Sequence, residues 1–415
     1  MKNMTCLFTA GIARYVPKAD RPRKNDMPWP RLVRFMVIGL AFTLVPLLAE
    51  GCARKRDIPP AEADAEIVRF LSTYLPASAK KQDFSGVVLF ARNEKVLFHQ
   101  AYGLANRQDS ARSETSTRFN MASASKMFTA VALAKLEEEG RLSLDDPIGK
   151  YLGSDWVSSE VGRKVLIRHL LDHTSGLGMY WDKWDQYADR IRTIEDYRQI
   201  VSDSLAFDPG TRHEYSNTGF ILLGAIIEKV SGETYYDFVQ RVIFEPCGMV
   251  STGFYDTDRA HSGFAVGYFK DKEDGGKLKD NLSLHGIKGA SAGGCWSTAS
   301  DLHRFLLAMR DNRIVGARAR EVLWSPKPNS PKYGYGFQIG KNWVGHMGGF
   351  PGIEAFVYYF PASGHSWIVM SNFFDSALPL VKQMRKRFEM LRAESVGPCT
   401  ERPPERWSSD GAGSP

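Results

Sequence analysis

Short apolar segments near the two ends of the chain predict paired β-strands. Residues 87–91 and 96–102 are apolar runs joined by the polar stretch 92–95, and residues 353–360 and 365–371 repeat this arrangement further along the chain. Apolar runs of this length separated by a short polar turn are typical of β-hairpins. We therefore expect two hairpins, with strands from both ends of the chain in one antiparallel sheet.

Other segments have apolar residues at the three- and four-residue intervals of an amphipathic helix. Six such segments are present: 67–74, 127–139, 165–171, 220–230, 300–310 and 376–392. Most of them lie between the two hairpins, where no long strand pattern is visible. The sequence therefore predicts an α+β fold, in which an antiparallel β-sheet is flanked by helices and carries a mainly helical inserted subdomain.

The first 52 residues have the features of an export leader. Arg31 and Arg34 precede a charge-free, mostly apolar run over residues 35–49. This run of about 15 residues is shorter than the roughly 20 that a membrane-spanning helix needs, which favours a cleaved signal. Cys52 follows small residues, as at a lipoprotein processing site, and would tether the protein to the membrane if lipidated. We expect an exported protein, either periplasmic or anchored as a lipoprotein in the cell envelope.

Composition divides the rest of the chain into a linker, one domain and a tail. Residues 53–64 are rich in Pro, Ala and charge and predict a linker, whereas residues 65–392 predict a single catalytic-sized domain. Residues 393–415 are rich in Pro, Gly, Ser and charge and predict a disordered tail. Met27 stands closer to the apolar run than Met1 and is the better start for the leader.

The positive charge of the chain is confined to its beginning. The formal net charge is +7, but residues 1–56 hold eleven Lys and Arg against three acidic residues. The remainder is close to neutral and has no basic excess to gather phosphates, which excludes nucleic acid as a partner. The five cysteines have no C-x-x-C spacing, so neither a disulfide framework nor a zinc finger is expected.

The strongest chemical signal is Ser-x-x-Lys at the start of a predicted helix. Ser123 and Lys126 are three residues apart, which places their side chains on one helix face. A serine hydroxyl is a poor nucleophile until a neighbour accepts its proton, and a Lys can do so when its surroundings lower its pKa. We predict that Ser123 is the nucleophile and Lys126 its activating base.

Two further motifs supply the groups that such a nucleophile needs. Tyr215 and Asn217 precede an apolar helix; a Tyr hydroxyl can shuttle protons, and an Asn amide can orient both a Lys and a substrate carbonyl. His346, Gly348 and Gly349 precede the strand predicted over residues 353–360. We predict that Gly348 and Gly349 bind substrate, because glycines let a strand approach an extended substrate closely. The Gly349 N–H could also pair with that of Ser123 to bind an oxyanion.

Ser123-x-x-Lys126, Tyr215-x-Asn217 and His346-x-Gly348, in this order and spacing, resemble the serine β-lactamase and penicillin-binding protein family, particularly the class C branch with its D,D-peptidase and esterase relatives. The resemblance covers about residues 66–392. It implies that Ser123 is acylated, that Lys126 and Tyr215 move protons and that Asn217 orients. His346 stands where the lactamases have Lys, which implies D,D-peptidase or esterase activity rather than efficient β-lactam hydrolysis.

The charge of His346 should affect how well the site binds substrates that carry a carboxylate. A His with the ordinary pKa of about 6.5 is neutral above pH 7 and gains a positive charge as the pH falls. On this basis we expect uncharged esters or amides to be favoured near neutral pH, with carboxylate-bearing substrates bound better towards about pH 5.5.

Three alternatives compete with this interpretation. Gly289-Ala290-Ser291-Ala292-Gly293 matches the Gly-x-Ser-x-Gly elbow of α/β-hydrolases, but polar residues precede it where that elbow needs a buried strand; it is better interpreted as a Gly-rich loop beside the site. His169 and His173 have the spacing of a zinc pair, but no third ligand is evident. The fold could also serve as a non-catalytic binding module of the cell envelope.

The sequence predicts a small-molecule or peptidoglycan-like substrate and no cofactor or metal. Four aromatic residues could form the wall of a substrate pocket or the core of the helical insertion: Tyr180, Trp181, Trp184 and Tyr187.

Overall fold

The computed structural model describes residues 59–259 and 261–395, and residues Pro60–Glu389 form one compact unit. The strands are β1 (Gly86–Arg92), β2 (Lys95–Tyr102), β3 (Leu104–Asn106), β4 (Ala111–Arg112), β5 (Phe119–Asn120), β6 (Tyr268–Asp271), β7 (Lys277–Asp280), β8 (Trp296–Ser297), β9 (Gln338–Ile339), β10 (Val344–Phe350), β11 (Ile353–Phe360) and β12 (His365–Ser371).

The α-helices are α1 (Pro60–Lys80), α2 (Lys126–Glu138), α3 (Ser159–Lys164), α4 (Ile167–Leu171), α5 (Trp184–Tyr187), α6 (Asn217–Ser231), α7 (Tyr235–Val239), α8 (Glu245–Cys247), α9 (Ala299–Arg310), α10 (Ala317–Trp324) and α11 (Ala377–Ser395). A π-helical turn, Gln240–Phe244, joins α7 to α8. Short 3₁₀ turns occur at Ala122–Ser125, Ile148–Lys150, Trp181–Lys183, Ala188–Arg190, Glu195–Gln199 and Leu282–Leu284. None of the helices in the described ranges has the length and apolar character needed to span a membrane.

Six strands form one antiparallel sheet in the order β2-β1-β12-β11-β10-β9. Both predicted hairpins are present, and β1 pairs with β12 from Gly86 opposite Ser371 to Arg92 opposite His365. The prediction that strands from both ends of the chain share one sheet is therefore confirmed, as is the α+β class. Strands β11 and β12 are buried along their whole length, as expected for strands covered on both faces.

One of the two helices that support the site begins at a well-defined cap. The Ser216 hydroxyl accepts a hydrogen bond from the Gly219 N–H at 3.0 Å and starts α6, and Gly232, with φ of 75°, ends it. Helix α2 is buried on nearly every side, which is typical of a helix in the centre of a large core. Ser123 and Lys126 therefore lie in a rigid part of the protein.

The structure corrects both boundaries of the predicted domain. Residues 60–64, expected in the linker, form the first turns of α1. Asp64 is buried, and its carboxylate contacts His365 Nε2 at 2.7 Å and Arg92 Nε at 3.1 Å, so a partner 301 residues away fixes the start of the helix. At the other end, α11 extends to Ser395, so that residues 393–395 of the expected tail are helical. The predicted leader and the rest of the tail lie outside the described residues.

Candidate active site

Ser123 lies in the 3₁₀ turn that joins β5 to α2. The Asn120 side-chain oxygen accepts a hydrogen bond from the Ala122 N–H at 2.8 Å, and Ala122 adopts a φ of 43°, which is uncommon for a residue with a Cβ. The Ser125 hydroxyl donates to the Ala122 carbonyl and accepts from the Cys295 N–H. These bonds fix the turn so that Ser123 is partly accessible while its immediate neighbours are buried.

Lys126 is completely buried, and its amine contacts three oxygen atoms. Nζ lies 2.7 Å from Asn217 Oδ1, in hydrogen-bond contact with the Ala292 carbonyl, and 3.2 Å from Ser123 Oγ. The first two oxygens can only accept, so they take the two N–H groups of a neutral amine. The lone pair of the neutral amine is then left for the Ser123 hydroxyl.

Burial determines the charge of Lys126. Removing the ammonium form from water lowers the pKa of Lys126 well below its usual value. The rings of Tyr215 and Phe220 complete the enclosure, with centroids 5.0 and 5.3 Å from Nζ. The predicted proximity of Ser123 and Lys126 is present, and the lowered pKa favours the neutral amine that a base requires.

Tyr215 places its hydroxyl beside the same pair. Burial raises the pKa of Tyr215 above its usual value, and the neighbouring Ser123 side chain partly opposes that rise. Within the described ranges the buried hydroxyl has no hydrogen-bond partner of good geometry, so it is close to Ser123 without a formed bond. A protonated phenol at this point can donate to a leaving group.

Asn217 is the first residue of α6. Besides accepting from Lys126, it donates its backbone N–H to Met179 Sδ at 3.4 Å. These two contacts join the Tyr-x-Asn segment to both the lysine and the loop that contains Met179. The structure therefore brings together Ser123, Lys126, Tyr215 and Asn217, which the sequence predicted from segments about ninety residues apart.

Strand β10 packs directly against the Ser123 turn. A Cβ on Gly348 would overlap with the Met121 carbonyl oxygen, so only glycine permits this approach. The Met347 N–H donates to Gln338 Oε1, away from β11. Because alternate N–H groups along a strand point the same way, the Gly349 N–H faces this outer edge too. Gly349 is exposed, and a Cβ there would meet nothing within 4 Å.

His346 differs from its predicted role. Its side chain is 1% exposed. Nδ1 lies 2.6 Å from the Met347 carbonyl and therefore carries the proton, which leaves Nε2 to accept from the Tyr333 hydroxyl at 2.8 Å. Both ring nitrogens are thus engaged inside the protein, and the ring supports the site rather than offering a free polar atom to substrate.

The expected pH response of His346 is also wrong. Burial lowers the pKa of His346 to about 3. A ring with this pKa stays neutral throughout the range from pH 8 to 5.5, so it cannot gain charge and attract carboxylates there. The sequence argument used the ordinary pKa of His, which holds only for an accessible ring.

The structure supports neither rival motif in its proposed role. Ser291 is fully buried, with its hydroxyl unpartnered within the described ranges, and no strand ends immediately before it. The loop that contains it lies beside the site, as predicted, because Ala292 contributes a carbonyl to Lys126. His169 and His173 bind different backbone N–H groups, those of Leu166 and Ser216.

The aromatic cluster divides between the two predicted roles. Tyr180 and Trp184 are buried and pack with Tyr197 in the core of the helical insertion. Trp181 is partly accessible and faces Phe350, the residue after Gly349, with ring centroids 6.5 Å apart. His285 stacks on the same Phe350 at 4.8 Å.

Three contributors to the site escaped the sequence motifs. They are the Ala292 carbonyl, the Gln338 side chain and the Tyr333 hydroxyl, each in a loop or a two-residue strand. The glycines around Ala292 were a signal of close backbone approach. A single Tyr or Gln in an irregular segment carries no comparable signal.

The fold and the arrangement of Ser123, Lys126 and Tyr215 define an α+β protein of the β-lactamase and transpeptidase type. The family model described as Beta-lactamase matches residues 67–388. The chain belongs to this family of serine hydrolases.

Comparisons with individual proteins agree. The chain is 31% identical over 331 residues to Penicillin-binding protein 4* of Bacillus subtilis (strain 168), covering 73% of this chain and 71% of that protein. It is 26% identical over 349 residues to Esterase EstB of Burkholderia gladioli, covering 74% of this chain and 88% of that one. The solved structure of a penicillin-binding protein from Bacillus halodurans superposes with a TM-score of 0.69 at 31% identity, covering 76% of this chain and 99% of that one.

Proposed function

We propose that this chain hydrolyses an ester, an amide or a D-amino-acid peptide through an acyl-enzyme on Ser123. The observation that carries the proposal is the environment of Lys126. Two acceptor oxygens occupy the N–H groups of its neutral amine and leave the lone pair for the hydroxyl of Ser123. A buried, neutral lysine beside an accessible serine is an arrangement for removing a proton from that serine.

The reaction follows from these contacts. Lys126 takes the proton of Ser123 as Oγ attacks the substrate carbonyl carbon, and the carbonyl π electrons move to its oxygen. The N–H groups of Ser123 and Gly349 would stabilise that oxyanion. The bond from the carbonyl carbon to the leaving alcohol or amine then breaks, and Tyr215 gives that group a proton and recovers one from Lys126. A water molecule next attacks the carbonyl carbon of the acyl ester and gives a proton to the neutral Lys126. The bond from that carbon to Ser123 Oγ breaks as Oγ takes the proton from Lys126, which releases the acid and restores the serine.

We infer that uncharged groups are preferred around the reacting carbonyl. His346 remains neutral near physiological pH and is engaged by Tyr333, so it does not replace the permanent cation of a lactamase Lys. Trp181 and Phe350 add apolar surface next to Gly349. The relative described as an esterase supports activity on an ester.

The competing function is a non-catalytic module that binds in the cell envelope. Intact-protein mass spectrometry after incubation with phenyl acetate, a D-alanyl-D-alanine peptide and a fluorescent penicillin separates the two. The proposed function predicts a covalent adduct with at least one of these compounds and release of product with time. A binding module shows an unchanged mass with all three.

We also propose that the protein acts outside the cytoplasm, periplasmic or attached to the membrane through a lipidated Cys52. Support comes from the sequence alone, where two arginines and a short apolar run precede that cysteine. A peptidoglycan-like substrate would be accessible in that location.

A further inference from the structure

His173 is a buried residue that the proposed reaction does not use. It follows α4 and is 0% exposed, and its φ of 61° lies in the left-handed region, which is uncommon for residues other than Gly, although Asn, Asp and His adopt it more often than the rest. An unusual backbone at a buried polar residue next to a reaction centre needs a physical explanation.

Two hydrogen bonds connect His173 to the segment that contains Tyr215. The His173 carbonyl accepts from the Glu214 N–H at 2.8 Å, and ring Nδ1 accepts from the Ser216 N–H at 3.1 Å. The imidazole also lies against the phenol ring of Tyr215, with centroids 4.1 Å apart and an angle of 38°. His173 therefore holds Tyr215 in two ways. It accepts hydrogen bonds from the residues before and after Tyr215, and its ring packs against the phenol ring.

A histidine at position 173 is less favourable than an apolar ring in one respect. Since Nδ1 accepts, Nε2 carries the proton, and within the described ranges that buried N–H has no partner. Burial lowers the pKa of His173 well below its usual value, so the ring is neutral. An apolar ring would fill the space without an orphaned donor. What the imidazole supplies and an apolar ring lacks is the Nδ1 acceptor for Ser216.

We propose that His173 is a positioning residue that holds the Tyr215 hydroxyl over Ser123 and Lys126 through the Ser216 N–H and the face of the phenol ring. The proposal rests on the function proposed above, because it assigns the effect of His173 to proton transfer by Tyr215. Displacement of a catalytic group by about 1 Å can cost roughly 100-fold in rate, so removal of this support should lower kcat more than it changes KM.

The test compares two variants that suit the left-handed backbone. His173→Gly removes both acceptor and ring, and we expect kcat for phenyl acetate to fall about 100-fold with KM within about threefold. His173→Asn keeps a carbonyl acceptor for Ser216 and should recover at least about tenfold of that loss. His169→Ala is the control: it removes the same kind of hydrogen bond, in which Nδ1 accepts from the Leu166 N–H, but outside the site. It should leave kcat within about threefold of wild type.

A double-mutant cycle with Tyr215→Phe separates positioning from general support of the fold. If His173 acts through the Tyr215 hydroxyl, neither His173 variant lowers kcat further in the Tyr215→Phe background. If His173→Gly does not fold, His173→Asn in the two backgrounds makes the same comparison. Additive losses, or a kcat unchanged in His173→Gly, would overturn the proposal. Full activity of Ser123→Ala would instead refute the proposed function.

Discussion

At the level of single residues, burial of Lys126 makes the stability of the protein depend on pH. Its amine is buried among Asn217, the Ala292 carbonyl and Ser123, and burial lowers its pKa well below the usual value. A lysine that is neutral when folded and protonated when unfolded makes stability depend on pH. The unfolded state binds more protons, so the free energy of unfolding rises with pH until the unfolded lysine also loses its proton, near pH 10.4.

Lys126→Met should remove this dependence. Relative to the variant, the free energy of unfolding of the wild type should rise with pH between about 7 and 9, by up to about 1.4 kcal/mol per pH unit. Urea titrations of both proteins at several pH values measure the difference, and other titrating groups cancel because both proteins share them. Parallel stability curves would mean that Lys126 stays charged in the fold.

Lys126 and His346 show which properties of single residues could be predicted from the sequence and which could not. The spacing of Ser123 and Lys126 sufficed to pair them, because both lie within one helical turn. The lowered pKa of His346 could not be foreseen, since it depends on burial of the ring in the folded protein. The sequence therefore identified the motif residues, but it did not always predict their protonation states.

At the level of elements, the site depends on the contact between β10 and the Ser123 turn. Gly348 lies against Met121 with no room for a side chain, whereas Gly349 faces open space. We expect Gly348→Ala to destabilise the protein by about 1–3 kcal/mol and to lower the acylation rate, because the strand must move away from the turn. Gly349→Ala, the matched control for stability, should change the free energy of unfolding by less than about 0.5 kcal/mol.

Chemical denaturation of the two glycine variants tests this contact. Equal stability of the Gly348 and Gly349 variants would contradict it. A loss of acylation in Gly348→Ala at a temperature where the protein remains folded would connect the strand position to the reaction.

Elements were predictable where their pattern is local. The hairpins β1–β2 and β11–β12 were found because a polar turn joins two apolar runs. The start of the domain was predicted five residues too late, at residue 65 rather than 60, because Asp64 is fixed by His365 and Arg92 in the folded sheet, and a charged, Pro-rich segment has no local signal of that contact.

At the level of the whole molecule, the central sheet pairs strands from both ends of the domain. The active site is formed by three motifs that are far apart in the sequence. Residues 123–126, 215–217 and 346–349 meet because α2, α6 and β10 pack together in one core. Their order along the chain pointed to the family, but the distances between them follow only from the fold.

The location of the whole protein is testable at Cys52. If Cys52 is lipidated, the wild type expressed in a bacterial host that processes lipoproteins should fractionate with membranes, and Cys52→Ser should shift most of it to the soluble fraction. Cys6→Ser, upstream of the expected processing site, should fractionate as the wild type does. A cytoplasmic protein with an intact N-terminus by mass spectrometry would refute export.

The acyl-enzyme on Ser123 is tested most directly by locating the covalent adduct. After labelling with a fluorophosphonate, proteolysis and mass spectrometry should find the adduct on the peptide that contains Ser123. Ser123→Ala should show no adduct and should lose on the order of 10⁶ in turnover with its fold intact, while Ser291→Ala should be labelled like the wild type. An adduct on Ser291, or normal labelling of Ser123→Ala, would contradict the proposed mechanism.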